Sequence, residues 1–281
     1  DGKTVKLYYH KVLEAKLVLS DRVVISLGTE FIENEKENVE KQDCELNAAR
    51  RLMKKIKQEY PRLPVCIQGD ALYAAESIME LCNKKYNWKY IFTQKTSRQK
   101  LLYESYEWIK RGEGTEQIQS LCKERGSGCY ANHVEKVAGK KEVMNVFEYE
   151  YEEKKEDVKR HTIRFSWITN IELTKRNLEE MIITGRGRWK IENEGFNNQK
   201  NGVYRIEHLN SRNSNAMKNH YLLTQIADIL MQLYLAWNPY IRELKQTIKN
   251  TSSGLLESFR GLTVTEEDVS YIFRYTTVYL E

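Results

Sequence analysis

Apolar and polar residues alternate along the first part of the chain in a way that predicts paired β-strands. In residues 7–19 one side of the alternation is apolar, and it comprises Leu7, Tyr9, Leu13, Ala15, Leu17 and Leu19. A period of two over this length predicts a long strand with one buried face. A tight turn at residues 20–22 and a second apolar stretch over residues 23–31 predict an antiparallel partner strand.

In the next segment the pattern switches between helical spacing and short apolar runs. Asp43 is the expected N-cap of a helix that ends before Pro61 and has as its inner side Ala48, Ala49, Leu52, Met53 and Ile56. The apolar run at residues 63–67 predicts a fully buried central strand. A helix over residues 71–85 and a second buried strand over residues 88–93 come next. This order predicts an α/β fold in which helices cover a mixed sheet.

The middle of the chain combines polar stretches with a second hairpin pattern. Residues 97–139 are polar and contain glycines that break regular structure, whereas alternation over residues 143–151 and a β-rich run over residues 161–168 predict a hairpin. A β-rich insertion is therefore expected here, followed by a helix that Thr174 caps. Residues 215–237 have the pattern of a long amphipathic helix, with a predicted apolar side of Tyr221, Leu222, Ile226, Ile229, Leu230, Leu233 and Tyr234.

Composition limits the kinds of protein that this chain can be. Its 281 residues are 41% apolar, which suits one large domain or a core with an insertion, and no apolar run reaches membrane-spanning length. The net charge of +5 permits nucleic-acid binding without requiring it. Five scattered cysteines are typical of reduced thiols, and Cys122, Cys129 and His133 lack the spacing and the fourth ligand of a zinc site. We therefore expect a cytoplasmic protein that does not bind membranes.

Residues 186–200 form the least ordinary segment, because charged and amide side chains surround only three large apolar residues, Trp189, Ile191 and Phe196. As a helix, this segment has too narrow an apolar stripe for an ordinary core helix. Arg188, Glu192 and Gln199 would fall near one face. A carboxylate such as Glu192 can bind a metal ion, and the neighbouring basic side chains can bind a phosphate beside it. The alternative is a solvated helix with an Arg188–Glu192 ion pair.

Asp70 is a second candidate carboxylate, because it comes after the predicted strand at residues 63–67. Open α/β sheets place their reactive groups at the carboxyl ends of strands. The small residue before it, Gly69, lets a ligand or a metal approach closely. Asp70 is therefore a candidate metal ligand, and the alternative is that it caps the next helix.

A strand-end carboxylate, a β-rich insertion and a helix with Glu192 occur here in the order found in the DDE transposases of bacterial insertion sequences. The chain resembles these enzymes over about residues 6–235, most closely in Arg188-Trp189-Lys190-Ile191-Glu192-Asn193-Glu194 with Phe196-Asn197 after it. Similar blocks lie at residues 8–13, 41–45, 69–73, 204–208 and 216–223. The resemblance implies an RNase H-like mixed sheet flanked by helices, with the β-rich insertion before the last catalytic helix.

The resemblance also implies roles for individual residues. Asp70 and Glu192 match the second and third acidic ligands of a pair of Mg²⁺ (or Mn²⁺) ions, which prefer such oxygen ligands. Arg188 matches an arginine that contacts DNA phosphate, and Lys190 is expected to neutralise the same backbone.

Two further positions depart from the family signature. The family lysine falls near Gln199, so Lys200 is the expected stand-in and a third DNA contact. The family tyrosine falls at Gly185, where this chain has no side chain.

The first acidic residue of the family belongs on a strand before the long hairpin. Asp1 stands too close to the hairpin for such a strand, so we expect a chain truncated at its N-terminus that lacks the first carboxylate. The predicted domains are the first part of the RNase H-like core, the insertion with its β-rich second half, the catalytic and closing helices, and a C-terminal extension. They cover residues 1–96, 97–172, 173–237 and 238–281.

The expected function is DNA cleavage and strand transfer of an insertion sequence by two-metal phosphoryl transfer. Two alternatives are a DNA-binding remnant without catalysis and a Mg²⁺-dependent nuclease of the same fold. The expected partner is double-stranded DNA, at the transposon ends and at the target, and a homodimer is one option for the assembly.

Overall fold

The computed structural model describes residues 11–19, 23–33, 43–112, 116–121, 126–135, 143–155, 158–208, 210–238 and 247–275. The chain divides into two compact units. The first lies within residues 1–18 and 26–193, and the second within residues 19–25 and 194–281.

The first strands in the chain, β1 (Lys11–Val18) and β2 (Val24–Ile32), form a two-stranded sheet, which confirms the pairing of the first two predicted strands. The predicted strand residues 7–10 and the turn at residues 20–22 lie outside the described residues. Glu14 is buried on β1 and accepts hydrogen bonds from the hydroxyls of Ser26 and Thr29. These bonds satisfy a carboxylate that would otherwise be costly to bury.

A six-stranded sheet comes next, and it is mixed, as predicted. Its strands are β3 (Cys66–Gly69), β4 (Lys89–Thr93), β5 (Glu116–Leu121), β6 (Gly126–Glu135), β7 (Val143–Lys155) and β8 (Val158–Thr169), in the order β3-β4-β8-β7-β6-β5. The pairing of β3 with β4 is parallel and the other pairings are antiparallel. Because β4 pairs with β8, the strands of the predicted insertion continue the core sheet.

Helices lie on both faces of this sheet. The helices α1 (Glu45–Glu59), α2 (Glu76–Glu80), the π-helical turn Leu81–Tyr86 and α3 (Lys100–Arg111) contribute to one core, and α4 (Leu178–Lys190) contributes to the other. Side chains alternate across a strand. Tyr90 and Phe92 of β4 therefore enter the first core, whereas Ile91 enters the second.

Several predicted boundaries are wrong for identifiable reasons. Helix α1 has the predicted inner side, but its N-cap is Cys44, and Asp43 instead forms an ion pair with Arg51 at 2.8 Å. The strand predicted at residues 63–67 lies at β3 and is not fully buried, since Leu63 and Cys66 are exposed and β3 is the last strand of the described sheet. Pairing begins only after a proline that cannot donate a hydrogen bond.

Residues 97–139, which looked polar and irregular, contain helix α3 and strands β5 and β6. Gly126 does not break β6, because a Cβ at this position would overlap the ring of Tyr149 on the neighbouring strand. The glycine therefore reflects tight packing within the sheet. Helix α4 begins at Leu178 with Asn177 as its N-cap, four residues after the predicted cap Thr174, which instead accepts a hydrogen bond from the Asn177 amide at 3.3 Å.

The second unit contains helices α5 (Asn198–Asn201), α6 (Ser214–Trp237), α7 (Ile248–Gly261) and α8 (Glu266–Tyr275). The span of α6 confirms the long helix predicted there, and the Asn213 side chain caps it by accepting from the Ala216 amide at 3.0 Å. No helix within the described ranges is both long enough and apolar enough to cross a membrane.

Much of the apolar side of α6 is exposed, whereas polar side chains of the same helix are buried. Its exposed side chains include Leu222, Leu223, Ile226, Leu230, Tyr234 and Trp237, whereas Thr224, Gln225 and Asp228 are buried. Four of the seven residues of the predicted apolar side are thus exposed, namely Leu222, Ile226, Leu230 and Tyr234. Buried polar groups are tolerated when they are hydrogen-bonded, and those of α6 have partners within the second unit.

Candidate active site

Asp70 comes directly after β3, at the edge of the sheet where the parallel strands β3 and β4 end. The residue is half-buried, and its Oδ1 accepts a hydrogen bond from the Leu72 amide at 2.7 Å. This bond closes a turn and fixes the direction of the carboxylate. Asp70 is not a helix cap, because α2 begins at Glu76 with Ala75 as its N-cap.

Gly69 and Tyr73 shape the turn beneath Asp70. A Cβ at Gly69 would lie 2.8 Å from Cδ2 of Tyr73, so only glycine fits against this ring. The Tyr73 hydroxyl donates to Glu45 at 2.5 Å. Burial raises the pKa of Tyr73, and the charges of Glu45 and Asp70 raise it further, so the phenol remains neutral. The neutral Tyr73 thus connects the Asp70 turn to Glu45 at the start of α1.

Helix α4 passes close to the strands at this edge of the sheet. A Cβ at Gly185 would lie 2.8 Å from Cε2 of Trp167, which pairs with Thr93 at the end of β4. Two residues later, Gly187 lies beside the side chain of Gln68, since a Cβ there would be 3.9 Å from Oε1 of Gln68. The helix therefore runs past the strand that carries Asp70 immediately before it reaches Arg188 and Glu192.

Arg188 and Glu192 form an ion pair in the last turn of this helix and the start of the next. Nη1 of Arg188 lies 2.5 Å from Oε1 of Glu192, and the Glu192 side chain is 60% exposed. The i, i+4 pair that the sequence offered as an alternative is thus present. Exposed pairs of this kind add little stability, so Glu192 remains accessible to another cation.

Residues Ile191–Asn197 form a π-helix, which continues into α5. A π-helix holds an extra residue in each turn and so rotates the faces of the helix that continues from it. As a result Gln199 is fully buried and Lys200 is exposed, where its amine pairs with Glu207 at 2.7 Å. This supports Lys200, rather than position 199, as the side chain available to solvent.

Three neighbouring side chains of α4 have different surroundings. Trp189 is 48% exposed and is not a core residue. Lys190 is half-buried. Arg186 lies over the rings of Tyr149, Tyr151 and Phe165, 5.5–5.7 Å from their centroids, and so attaches the helix to β7 and β8 through cation–π contacts.

The two predicted carboxylates suit a divalent ion, although they do not form a complete site by themselves. Neither Oδ2 of Asp70 nor Oε2 of Glu192 has a hydrogen-bond donor among the described residues, so each carboxylate has an oxygen available for a ligand. Hard ions such as Mg²⁺ prefer these ligands. Among the same residues, no group of three or more His, Cys, Asp or Glu side chains is placed to hold a metal ion.

Comparison with known protein families matches residues 37–229 to the transposase DDE domain, which covers well over half of the chain. The chain belongs to the DDE transposase family. The match includes the Asp70 turn, the six-stranded sheet, and the helices from α1 to most of α6, and it confirms the RNase H-like mixed fold expected from the sequence. A comparison with curated proteins found no match.

The structure of this transposase domain gives a steric reason for a glycine at position 185. A Cβ at Gly185 would lie 2.8 Å from Cε2 of Trp167, so a side chain here would collide with the indole ring. The glycine therefore allows α4 to pack closely on β8.

Three features of the site were missed from the sequence. Gln68 has a buried side-chain oxygen without a hydrogen-bond partner in the described structure, and it faces Gly187. Arg186 and the Tyr73–Glu45 hydrogen bond were also missed. The signal for them in the sequence was weak: Gln68, Arg186 and Tyr73 each lie within three residues of a predicted site residue, whereas Glu45 does not.

Proposed function

We propose that this transposase domain catalyses DNA cleavage and strand transfer of a bacterial insertion sequence in the cytoplasm. The observation that carries the proposal is that Gly187 of α4 lies beside Gln68, which comes two residues before Asp70 in sequence. Arg188 follows Gly187 directly, and Glu192 comes four residues later, just after the end of α4. This arrangement supports a shared role for Asp70 and Glu192, which lie more than one hundred residues apart in sequence.

Asp70 and Glu192 are proposed to be ligands for Mg²⁺ or Mn²⁺. Bound there, such ions activate water or a 3′-hydroxyl as the nucleophile and stabilise the leaving oxygen at phosphorus. The Leu72 amide orients the Asp70 carboxylate, and leaves Oδ2 open to solvent or ligand within the described structure. Arg188 holds Glu192 by one oxygen only. Its guanidinium can exchange this partner for a DNA phosphate, which it binds in a bidentate manner.

Three cations are proposed to contact double-stranded DNA at the transposon ends and at the target. Arg188 and Lys190 lie in the last turn of α4, and Lys200 is exposed in α5. Contacts of cations with phosphate release condensed counterions, so DNA binding by these side chains is expected to weaken as salt rises.

The test is nicking of a duplex that contains the ends of the insertion sequence, in the presence of Mg²⁺. The wild-type chain should nick this DNA, and Asp70→Asn and Glu192→Gln should not. Glu180→Gln is the matched control, because Glu180 is an exposed carboxylate on the same helix as Arg188. Equal nicking by the wild type and the two site variants would remove the basis of the proposal.

The same assay separates the two alternatives. A DNA-binding remnant is favoured by the lack of a three-carboxylate group in the described residues, and it predicts binding of the duplex without nicking. A nuclease of the same fold predicts nicking without strand transfer and without preference for the ends.

A homodimer is part of the proposal. The exposed side of α6 from Leu222 to Trp237 is apolar, and its exposed residues in this span carry no charge. Leu223, Ile226, Leu230, Leu233 and Trp237 have the alternating three- and four-residue spacing by which helices pack against one another. An uncharged surface of this kind does not suit DNA phosphates, whereas a second copy offers an identical apolar face.

A further inference from the structure

The turn that carries Asp70 follows a short strand and is closed by two hydrogen bonds of its own. The Leu72 amide donates to Oδ1 of Asp70 at 2.7 Å, and the Tyr73 amide donates to the Asp70 carbonyl at 3.1 Å. Strand β3 contains only four residues, and among the described strands it pairs with β4 alone. The sheet therefore supports this turn from one side, and its orientation depends on what else holds it.

Tyr73 attaches the turn to helix α1. Its ring packs against Gly69 and against the first core, and its hydroxyl donates to Oε1 of Glu45 at 2.5 Å. Glu45 is the first residue of α1, where the helix dipole favours a carboxylate. The buried inner side of α1 holds this helix in the same core. Tyr73 thus connects the turn to an element that is itself fixed by packing.

The Tyr73 phenol is influenced by two carboxylates but donates to only one of them. Burial raises the pKa of Tyr73, and Glu45 and the charge of Asp70 raise it further, so the phenol stays protonated and remains a donor. Among the described residues it donates to Glu45, whereas the Asp70 carboxylate accepts from the Leu72 amide. Tyr73 therefore acts on Asp70 through the backbone of the turn, and not through a bond to its carboxylate.

We propose that Tyr73 is a positioning residue for Asp70: by donating to Glu45 it holds the turn in the orientation that presents the Asp70 carboxylate. All three residues lie in the first compact unit, so the connection is complete within that unit. A misplacement of about 1 Å can cost about 100-fold in rate, so small movements of this turn matter for the reaction. The inference rests on the proposed role of Asp70 as a metal ligand.

The first test compares Tyr73→Phe with the matched control Ser77→Ala. Phenylalanine keeps the ring that packs against Gly69 and removes the hydroxyl. Ser77 accepts a hydrogen bond from Arg50 at 3.0 Å, which also connects α1 to the segment after β3 but lies outside the turn. At saturating DNA, Tyr73→Phe should lower the nicking rate about tenfold, the lower end of the effect of losing a group that supports a metal ligand. It should raise the Mg²⁺ concentration for half-maximal rate and leave the Kd for DNA unchanged.

Substitutions of Glu45 show whether the hydrogen bond itself is responsible. Glu45→Gln keeps an oxygen that can accept from Tyr73 and should retain most of the nicking rate. Glu45→Ala removes the acceptor and should be as slow as Tyr73→Phe. Because each of these two changes breaks the same bond, the double variant Tyr73→Phe with Glu45→Ala should be no slower than either single variant. Losses that multiply in the double variant, or an equal loss in Ser77→Ala, would overturn the inference.

Hydrogen exchange provides a readout that does not depend on activity. In Tyr73→Phe the amides of residues 72 and 73 should exchange faster than in the wild type, whereas those of β4 should not change. If the wild-type chain fails to nick DNA, the proposed function fails, and exchange alone decides whether the bond holds the turn. Unchanged exchange at residues 72 and 73 would show that it does not. If the wild type nicks DNA and Tyr73→Phe nicks it equally fast, the proposed function stands and this inference is wrong.

Discussion

The packing of α4 on the sheet gives a quantitative prediction, because two glycines of this helix have different surroundings. At Gly185 an added Cβ would lie 2.8 Å from Cε2 and 2.9 Å from Nε1 of Trp167. Trp167 is 3% exposed and stacks on Phe147 at 5.0 Å and on Phe165 at 5.8 Å, so it has little room to move. At Gly187 the nearest atom, Oε1 of Gln68, would be 3.9 Å away. Gly185→Ala therefore creates a clash that Gly187→Ala does not.

The magnitude depends on two opposing effects. Alanine in a helix interior is about 1 kcal/mol more favourable than glycine, and this gain applies to both positions. Overpacking of a rigid core costs about 1–3 kcal/mol, and this cost applies only at position 185. The helix term cancels between the two variants. Gly185→Ala should therefore be about 1–3 kcal/mol less stable than Gly187→Ala.

The assay is thermal unfolding of both variants beside the wild type. Each kcal/mol shifts the Tm of a domain of this size by roughly 2–4 °C. Gly187→Ala should unfold at or above the wild-type temperature, and Gly185→Ala several degrees below Gly187→Ala. If Gly185→Ala were as stable as Gly187→Ala, α4 would not pack tightly on Trp167, and the close packing of α4 on the sheet would lose its support.

Three further predictions concern charge and assembly. Arg188→Gln and Lys190→Gln should each weaken DNA binding and lower the slope of log K against log salt by roughly 0.9, which is the contribution of one phosphate contact. The pKa of Asp43 is lowered mainly by its hydrogen bond from Arg51. This ion pair therefore stabilises the fold above the pKa of an unfolded aspartate, about 3.9, and the benefit is lost as the pH falls through the lower folded pKa. Asp43→Asn should thus lower the Tm at neutral pH and have progressively less effect at acid pH. Leu230→Glu places a charge in the exposed apolar side of α6 and should convert a dimer to a monomer in light scattering.

Each of these predictions has a control and a contradicting result. Arg260→Gln, in α7 and outside the matched family region, should leave the salt slope unchanged, and an equal change there would refute the assigned contacts. Glu59→Gln, at the exposed end of α1, should not alter the pH dependence of Tm. A constant effect of Asp43→Asn across the pH range would contradict the ion-pair account. A monomeric wild-type chain would contradict the proposed dimer.

Local sequence patterns predicted the helices and strands whose apolar side is buried. The alternation over residues 143–151 indicated β7, and the helical spacing of Ala48, Leu52 and Ile56 indicated the inner side of α1. For helix α6, the local pattern did not predict which side is buried. Its apolar stripe was visible in the sequence, but which side is buried depends on tertiary partners of Asp228 that lie elsewhere in the chain.

The candidate site was predictable to a similar extent. A carboxylate after a strand and an i, i+4 pair on a helix are local signals, and the structure has Asp70 after β3 and Arg188 bonded to Glu192. The collision that excludes a side chain at Gly185 depends on Trp167, eighteen residues earlier and on another element, so no local pattern contains it. The assigned roles, the domain boundaries and the three DNA contacts remain predictions.

The central claim is that Asp70 and Glu192 both bind the divalent ions used for DNA cleavage, and a change of ligand chemistry tests it most directly. Cysteine at a metal-binding position disfavours Mg²⁺ and is better tolerated by softer ions such as Mn²⁺. The wild type and Glu180→Cys should nick the end-bearing duplex with either ion. Asp70→Cys and Glu192→Cys should be inactive with Mg²⁺ and regain nicking with Mn²⁺. Nicking by either site variant with Mg²⁺ at the wild-type rate would contradict the claim.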